Sequence, residues 1–337
     1  MPKTTKYFRH HDALTPTVIA VTYVITTYIL GFGLLLAEPF YANLIGIPLL
    51  AHSMVIAAYL IHDAAHLSVF KNKNHNRWFA EFLLWITGNS YSRFSDIQHK
   101  HNRHHIDRAD IVSFDFRPVL EKQPIILKVI KTLEWFYIPA LEIVMHALVL
   151  VLPFVKANRK QNRFRIILVL ALRVLMFAWL ASISWHILWL YPLAYMLFLT
   201  VMRFMDVHQH TYEVYATLDL PRGPEAKLRD RTFEEQNTYS NLLSVKYPWV
   251  NLLVLNFSYH NVHHDQQLQP WYRLPKLHKQ KYGDDYQQIL TFKHLIKSFH
   301  KYRVPRILNG DPIILPVKQD EGETFVGVDG VSFLTAH

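Results

Sequence analysis

The sequence predicts an all-α integral membrane protein. Four membrane-spanning helices would form a bundle, with interfacial helices and a cytosolic helical cap. Three observations carry this expectation. Residues 13–37 and 39–62 contain no Asp, Glu, Lys or Arg, and a bilayer core needs about 20 apolar residues as helix. Only 18% of the 337 residues are charged, few for a soluble chain of this size. Histidine-rich clusters recur just beyond apolar blocks, on one predicted side of the membrane.

Residues 1–14 read as a short basic head. The first span covers about 15–37. No small-residue cleavage site follows it, so it is expected to stay as an anchor. The turn "AEPFYAN" (37–43) carries no Lys or Arg, which suits an outer turn. The second span, about 42–62, ends in "HDAAH". Residues 77–91 are apolar but interrupted by charge, the pattern of an interfacial helix. In 125–155 the charge-free core, 143–155, is too short to cross, so this stretch is expected to be interfacial or re-entrant. The basic run "KANRKQNRFR" (156–165) should remain cytosolic. The third and fourth spans are placed at 166–186 and 188–206, with Arg173 snorkelling from the third. This gives a membrane domain over 15–310, with both termini inside, and a tail over 311–337.

The net charge is +10. On this topology it reflects Lys and Arg kept on the cytosolic side, and no nucleic-acid partner is expected. There is no cysteine, which excludes disulfides, Fe–S clusters and thiolate zinc sites. A metal would have to be held by histidine, with or without carboxylates.

Histidine is abundant and patterned. His62 and His66 ("HDAAH") end the second span. His101, His104 and His105 ("HNRHH") follow the first interfacial helix. His260, His263 and His264 ("HNVHH") follow an apolar stretch at 249–258. Residues three or four apart share a helical face, so His-x-x-x-His offers two nitrogens to one side. His-x-x-His-His adds a third at about 100°, suited to two neighbouring metals. Eight ligands exceed the needs of one ion. Imidazole suits Fe, Zn, Cu and Ni.

A ninth candidate lies in "DVHQH" (206–210). His210 is four residues from Asp206, and is favoured over His208, which reads as a solvated neighbour. Asp63, Asp206 and Asp265 adjoin the clusters and are candidates to hold ligand N–H groups; surface charge or capping is the alternative. Lys100 and Arg103 are expected to face away from the metal, toward solvent, lipid phosphate or an acidic partner. His52 would lie about 15 Å deeper than His62 by helical rise, bonding a neighbouring helix or lining a tunnel.

"HDAAH", "HNRHH" and "YHNVHH", with apolar hairpins between them, resemble the integral-membrane fatty-acid desaturase family. "HQHTYE" (208–213) and "QPWYRLPKLHKQ" (269–280) add to the likeness, which covers roughly 40–280. The resemblance implies a di-iron centre, O2 as co-substrate and a fatty acyl or related lipid substrate in the membrane. No flavin, nicotinamide or haem motif is present, so electrons would come from an external ferredoxin or cytochrome. A lipid or carotenoid hydroxylase or ketolase is the alternative within the superfamily. A membrane metal transporter is a remote alternative, because transport sites lie near the bilayer midplane and these clusters lie at span ends. The setting would be a bacterial inner membrane or the endoplasmic reticulum.

Overall fold

A computed structural model of the chain describes residues 6–212, 215–221, 223, 229–283, 286–308 and 334–335. Residues 311–333 and 336–337 of the expected tail, and the first five residues, lie outside the described residues. The chain is mostly helical and clusters into two compact units. One comprises residues 1–97, 146–201 and 336–337, the other 98–145 and 202–335.

The first unit contains the long apolar helices. α1 (Leu14–Leu36) and α2 (Phe40–Ala65) form an antiparallel hairpin. They pack closely because glycines face the partner helix. A Cβ on Gly31 would lie 2.9 Å from the Cβ of Leu50, and one on Gly46 would lie 3.0 Å from the Cβ of Leu34. Small residues of this kind let apolar helices approach without a hydrophobic drive. Ser53 donates to the Val24 carbonyl at 2.9 Å. The Tyr23 hydroxyl bonds His52 Nδ1 at 2.6 Å, so His52 bonds a neighbouring helix. At the turn, Asn43 Nδ2 donates to the carbonyls of Leu34 (2.9 Å) and Ala37 (3.0 Å). Pro48 sits inside α2; buried helices of this kind tolerate the missing N–H.

α3 (Lys73–Ile86) starts at Asn72, whose side chain accepts from the Asn74 N–H. It ends before Gly88, whose φ of +78° and close contact with Tyr191 and Tyr195 admit no side chain. α4 (Phe94–Asp107) follows and carries the second histidine cluster. In the second unit come β1 (Asp110–Val112), α5 (Arg117–Glu121) and α6 (Pro124–Trp135). α7 (Ala140–Val155) is apolar but only 16 residues long. The expected interfacial stretch is thus two helices, broken where Tyr137 takes a left-handed φ of +62°.

The third candidate span begins in a 3-10 turn (Ala157–Asn162) and continues as α8 (Arg163–Ile183). The fourth is α9 (Ile187–Asp206). These two and the hairpin are the four helices long and apolar enough to cross a membrane among the described residues. Tyr191 links them, stacking on Phe32 of α1 and meeting Phe177 of α8 edge-on. Arg173 is held by α3. Its guanidinium donates to the Trp85 carbonyl at 2.5 Å and lies over the Trp85 ring.

The second unit continues with β2 (Tyr215–Thr217), α10 (Arg231–Gln236), β3 (Ser240–Leu242), α11 (His260–Asp265), α12 (Leu274–Lys281), β4 (Ile289–Thr291) and α13 (Phe292–Tyr302). Its strands are three residues long and pair in parallel, β1 with β2 and β3 with β4. A buried pair, Arg203 Nη1 to Glu134 Oε1 at 2.5 Å, ties the end of α9 to α6.

Candidate metal centre

In the second unit, the second and third histidine clusters and His210 come together. One ring nitrogen from each of His104, His210, His260 and His264 lies within 4.8 Å of the others. His101, His105 and His263 form a neighbouring group, also within 4.8 Å of one another. Of the seven, six are buried and His104 nearly so. In the first unit, His62 and His66 stand at the end of α2, both buried, with ring centroids 4.8 Å apart.

The local sequence explains how each ring is presented. On α4, His101 and His105 are four apart and share a face, with centroids 4.7 Å apart. His104 lies one step round the helix and joins the other group. The helix stops at Asp107, where Arg103 Nε donates to Asp107 Oδ2 at 2.5 Å. Arg108 then takes a left-handed φ of +47°, a conformation uncommon for a non-glycine residue. This reversal brings the Ala109 carbonyl to His104 Nδ1 at 2.9 Å.

His210 lies beyond the end of α9, in a β-bridge with Thr238. A shared helical face with Asp206 therefore does not place it. The flanking bonds Thr211 N–H to the Asn237 carbonyl and Tyr239 N–H to the Gln209 carbonyl do. Tyr212 stacks on its ring with centroids 4.3 Å apart. The third cluster, on α11, is tied to the same strand. Asn261 donates to the Thr238 carbonyl, and its N–H to Ser240 Oγ. This gives the Asn of "HNVHH" a structural role.

The donor set fits a metal. Nε2 of His210 is 3.0 Å from Nε2 of His104 and 2.8 Å from Nε2 of His260, which is 3.1 Å from Nε2 of His264. A carbonyl can only accept, so His104 carries its proton on Nδ1 and presents a lone pair at Nε2. His264 Nδ1 likewise donates to Glu234 Oε1 at 2.8 Å, leaving its Nε2 free to ligate. Burial pushes His104 down to about 4, against the raising effect of the Ala109 bond. Burial and the neighbouring imidazoles push His210 and His264 well below the usual histidine range. Neutral imidazole is the ligating form.

Glu234 is a supporting residue that sequence reading missed. It lies on α10, 30 positions from His264, and its second oxygen accepts from Arg108 Nε at 3.0 Å. A carboxylate behind a ligating histidine fixes its tautomer and raises its basicity. Among the three aspartates proposed for that role, Asp265 instead takes Arg231, Lys281 and Tyr282. Asp63 Oδ1 stands 3.9 Å from His62 Nδ1, beyond hydrogen-bond range. Asp206 lines a cavity of about 70 Å³ together with Lys100, Asp110, His101, His104 and His210.

Two expectations are corrected here. His208 is fully buried and not solvated. Its Nδ1 donates to the Phe204 carbonyl at 2.8 Å, a bond from just past α9 back to its last turn. Lys100 is also buried and lines the cavity. Burial pushes it down to about 8, opposed by the charges of Glu142, Asp206 and Asp110. Arg103 does not reach solvent freely either, since it holds Asp107 and the carbonyls of Leu218 and Leu220.

The sequence matches the fatty acid desaturase family over residues 39–295. The chain belongs to the fatty acid desaturase family. That span takes in all nine candidate histidines and α2 to α12. Neither the curated proteins nor the solved structures contain a match. For a fatty acid desaturase, oxidoreductase chemistry on a lipid follows from the family. Its buried histidine clusters can hold metal ions, and its four apolar helices are those of a membrane protein.

Proposed function

We propose that this protein is an O2-dependent di-iron desaturase that introduces a double bond into a fatty acyl chain or related lipid. The observation that carries this reading is the convergence of four neutral imidazoles within 4.8 Å. Two of them are held as the Nε2 ligand by Ala109 and Glu234. His104, His210, His260 and His264 would hold one iron. His101, His105 and His263 would hold the other, with His62 and His66 completing the set. Support for that last pair comes from the order of the histidine boxes and from the two buried rings side by side.

Two iron ions, reduced and exposed to dioxygen, supply the oxidising power to take hydrogen from an unactivated methylene. The overall balance is one CH2–CH2 unit, O2, two electrons and two protons giving one CH=CH and two waters. The chain's own task is positional. Ala109 and Glu234 keep two lone pairs aimed inward. The cavity of about 70 Å³ beside His104 and His210 has room for a few water-sized molecules, dioxygen among them. The two electrons come from a ferredoxin- or cytochrome-type donor, drawn to the basic, cytosolic side by complementary charge.

The test is mass spectrometry of total lipids from a host expressing the protein, beside His104→Ala. A new double bond that vanishes in the variant is expected. An oxygenated lipid would move the protein to the hydroxylase or ketolase branch. Unchanged lipids together with iron-free purified protein would overturn the di-iron reading.

A further inference from the structure

Far along the chain from the histidine boxes, Leu334 and Thr335 are both fully buried. Lys100 Nζ donates to the Thr335 carbonyl oxygen at 3.1 Å and to its hydroxyl oxygen at 3.0 Å. Ser113 Oγ donates to the same carbonyl at 2.5 Å. Lys100 is on α4, one residue before His101, and Ser113 directly follows β1. Both elements line the cavity, α4 through Lys100, His101 and His104 and β1 through Asp110, Ile111 and Val112. Thr335 thus ties α4 to the end of β1, with the buried Leu334 next to it in the chain. Lys100, Ser113 and Thr335 are residue types that are mostly exposed in proteins, and all three are buried here.

We propose that Leu334–Thr335 is a built-in seal of the oxidation site and that Thr335 is the positioning residue for the Lys100 ammonium. The role in oxidation rests on the di-iron reading above; the seal itself does not. An oxidant made from dioxygen must be kept from water, and a fully buried leucine beside the residue that ties α4 to β1 suits that task. The ammonium is a second hazard. It has three hydrogens to donate, and Asp110, Asp206 and imidazoles share its cavity. Two acceptors on Thr335 hold it, so that it does not compete for the lone pairs a metal needs.

The test uses full-length protein carrying Leu334→Asp, Thr335→Val or Thr335→Ser. Hydrogen–deuterium exchange is followed at residues 110–113, with iron content and double bonds formed per O2 consumed. Leu334→Asp should eject the segment and raise exchange there about tenfold or more, the equivalent of losing one charged hydrogen bond. The yield per O2 should fall while iron remains bound. Thr335→Val should keep the protection and lower the yield, and Thr335→Ser should restore it. Wild-type exchange in Leu334→Asp would overturn the seal. Equal yields in the Val variant and wild type would overturn the positioning role. Absence of iron and oxygen uptake in the wild type would sink the di-iron reading, and the exchange result would still decide the seal.

Discussion

Replacing Glu234 tests whether geometry or sequence adjacency identifies the support of the metal centre. Glu234 accepts from His264 Nδ1 at 2.8 Å and from Arg108 Nε at 3.0 Å, and is buried. In Glu234→Ala, His264 loses the group that fixes its tautomer, and Nε2 can then carry the proton. Loss of such a partner lowers metal affinity about 10- to 100-fold, or about 1.4–2.7 kcal/mol. Arg108 also loses a charged partner, but keeps the Arg229 carbonyl at 2.7 Å, which limits collapse of the loop. In Glu234→Gln an amide oxygen still accepts from His264, so the loss should fall near tenfold at most. Asp265→Asn is the control. It adjoins the third box but takes only Arg231, Lys281 and Tyr282 among the described residues, and should leave affinity unchanged. The assay is iron retention against a chelator series, on protein whose thermal unfolding shows it folded. Wild-type affinity in Glu234→Ala, or an equal loss in Asp265→Asn, would refute the reasoning.

Three further outcomes follow from the packing and the charges. His210→Ala should lose bound iron, whereas His208→Ala should keep it and lose about 1–3 kcal/mol of stability, since it removes a buried hydrogen bond away from the site; metal content per folded protein separates them. Gly31→Leu should destabilise the α1–α2 hairpin by about 1–3 kcal/mol, because even its Cβ falls 2.9 Å from Leu50; Gly33→Leu, with nothing within 4 Å of its Cβ, should melt in detergent like the wild type. Metal-free protein should weaken as pH falls from about 6.5 to about 4. In that window the unfolded chain takes a proton on His104 and the folded chain refuses it until about 4, so stability drops by about 1.4 kcal/mol per pH unit. His210 and His264 act in the same direction, and a melting temperature equal at pH 7 and pH 5 would contradict this.

The spans were legible because bilayer thickness imposes a minimum apolar length, and four segments meet it. The boxes were legible because helical periodicity leaves its mark at three and four residues. What escaped was whatever depends on segments distant in sequence. Glu234 carries no local pattern that links it to His264. Lys100 looks like a solvated lysine unless Thr335 is known to accept from it. His208 and His210 alternate, and only the bridge to Thr238 decides which ring faces His104. The break at Tyr137 carries no Gly or adjacent Pro; the proline comes two residues later, at Pro139.

The bonds made by Asn43 bear on how the protein is built. A helix end inside or near lipid leaves carbonyls that water cannot reach, and each must find a partner. At the α1–α2 turn, one side chain of α2 supplies it to Leu34 and Ala37. Ser53 and Tyr23 then bond across the same pair of helices. The hairpin therefore satisfies the carbonyls at its turn by itself once residue 65 has left the ribosome, about a hundred residues before α8 is made. It can enter the bilayer as one closed piece. Synthesis of the later helices then proceeds against a template already in place, with His62 carried in its last turn.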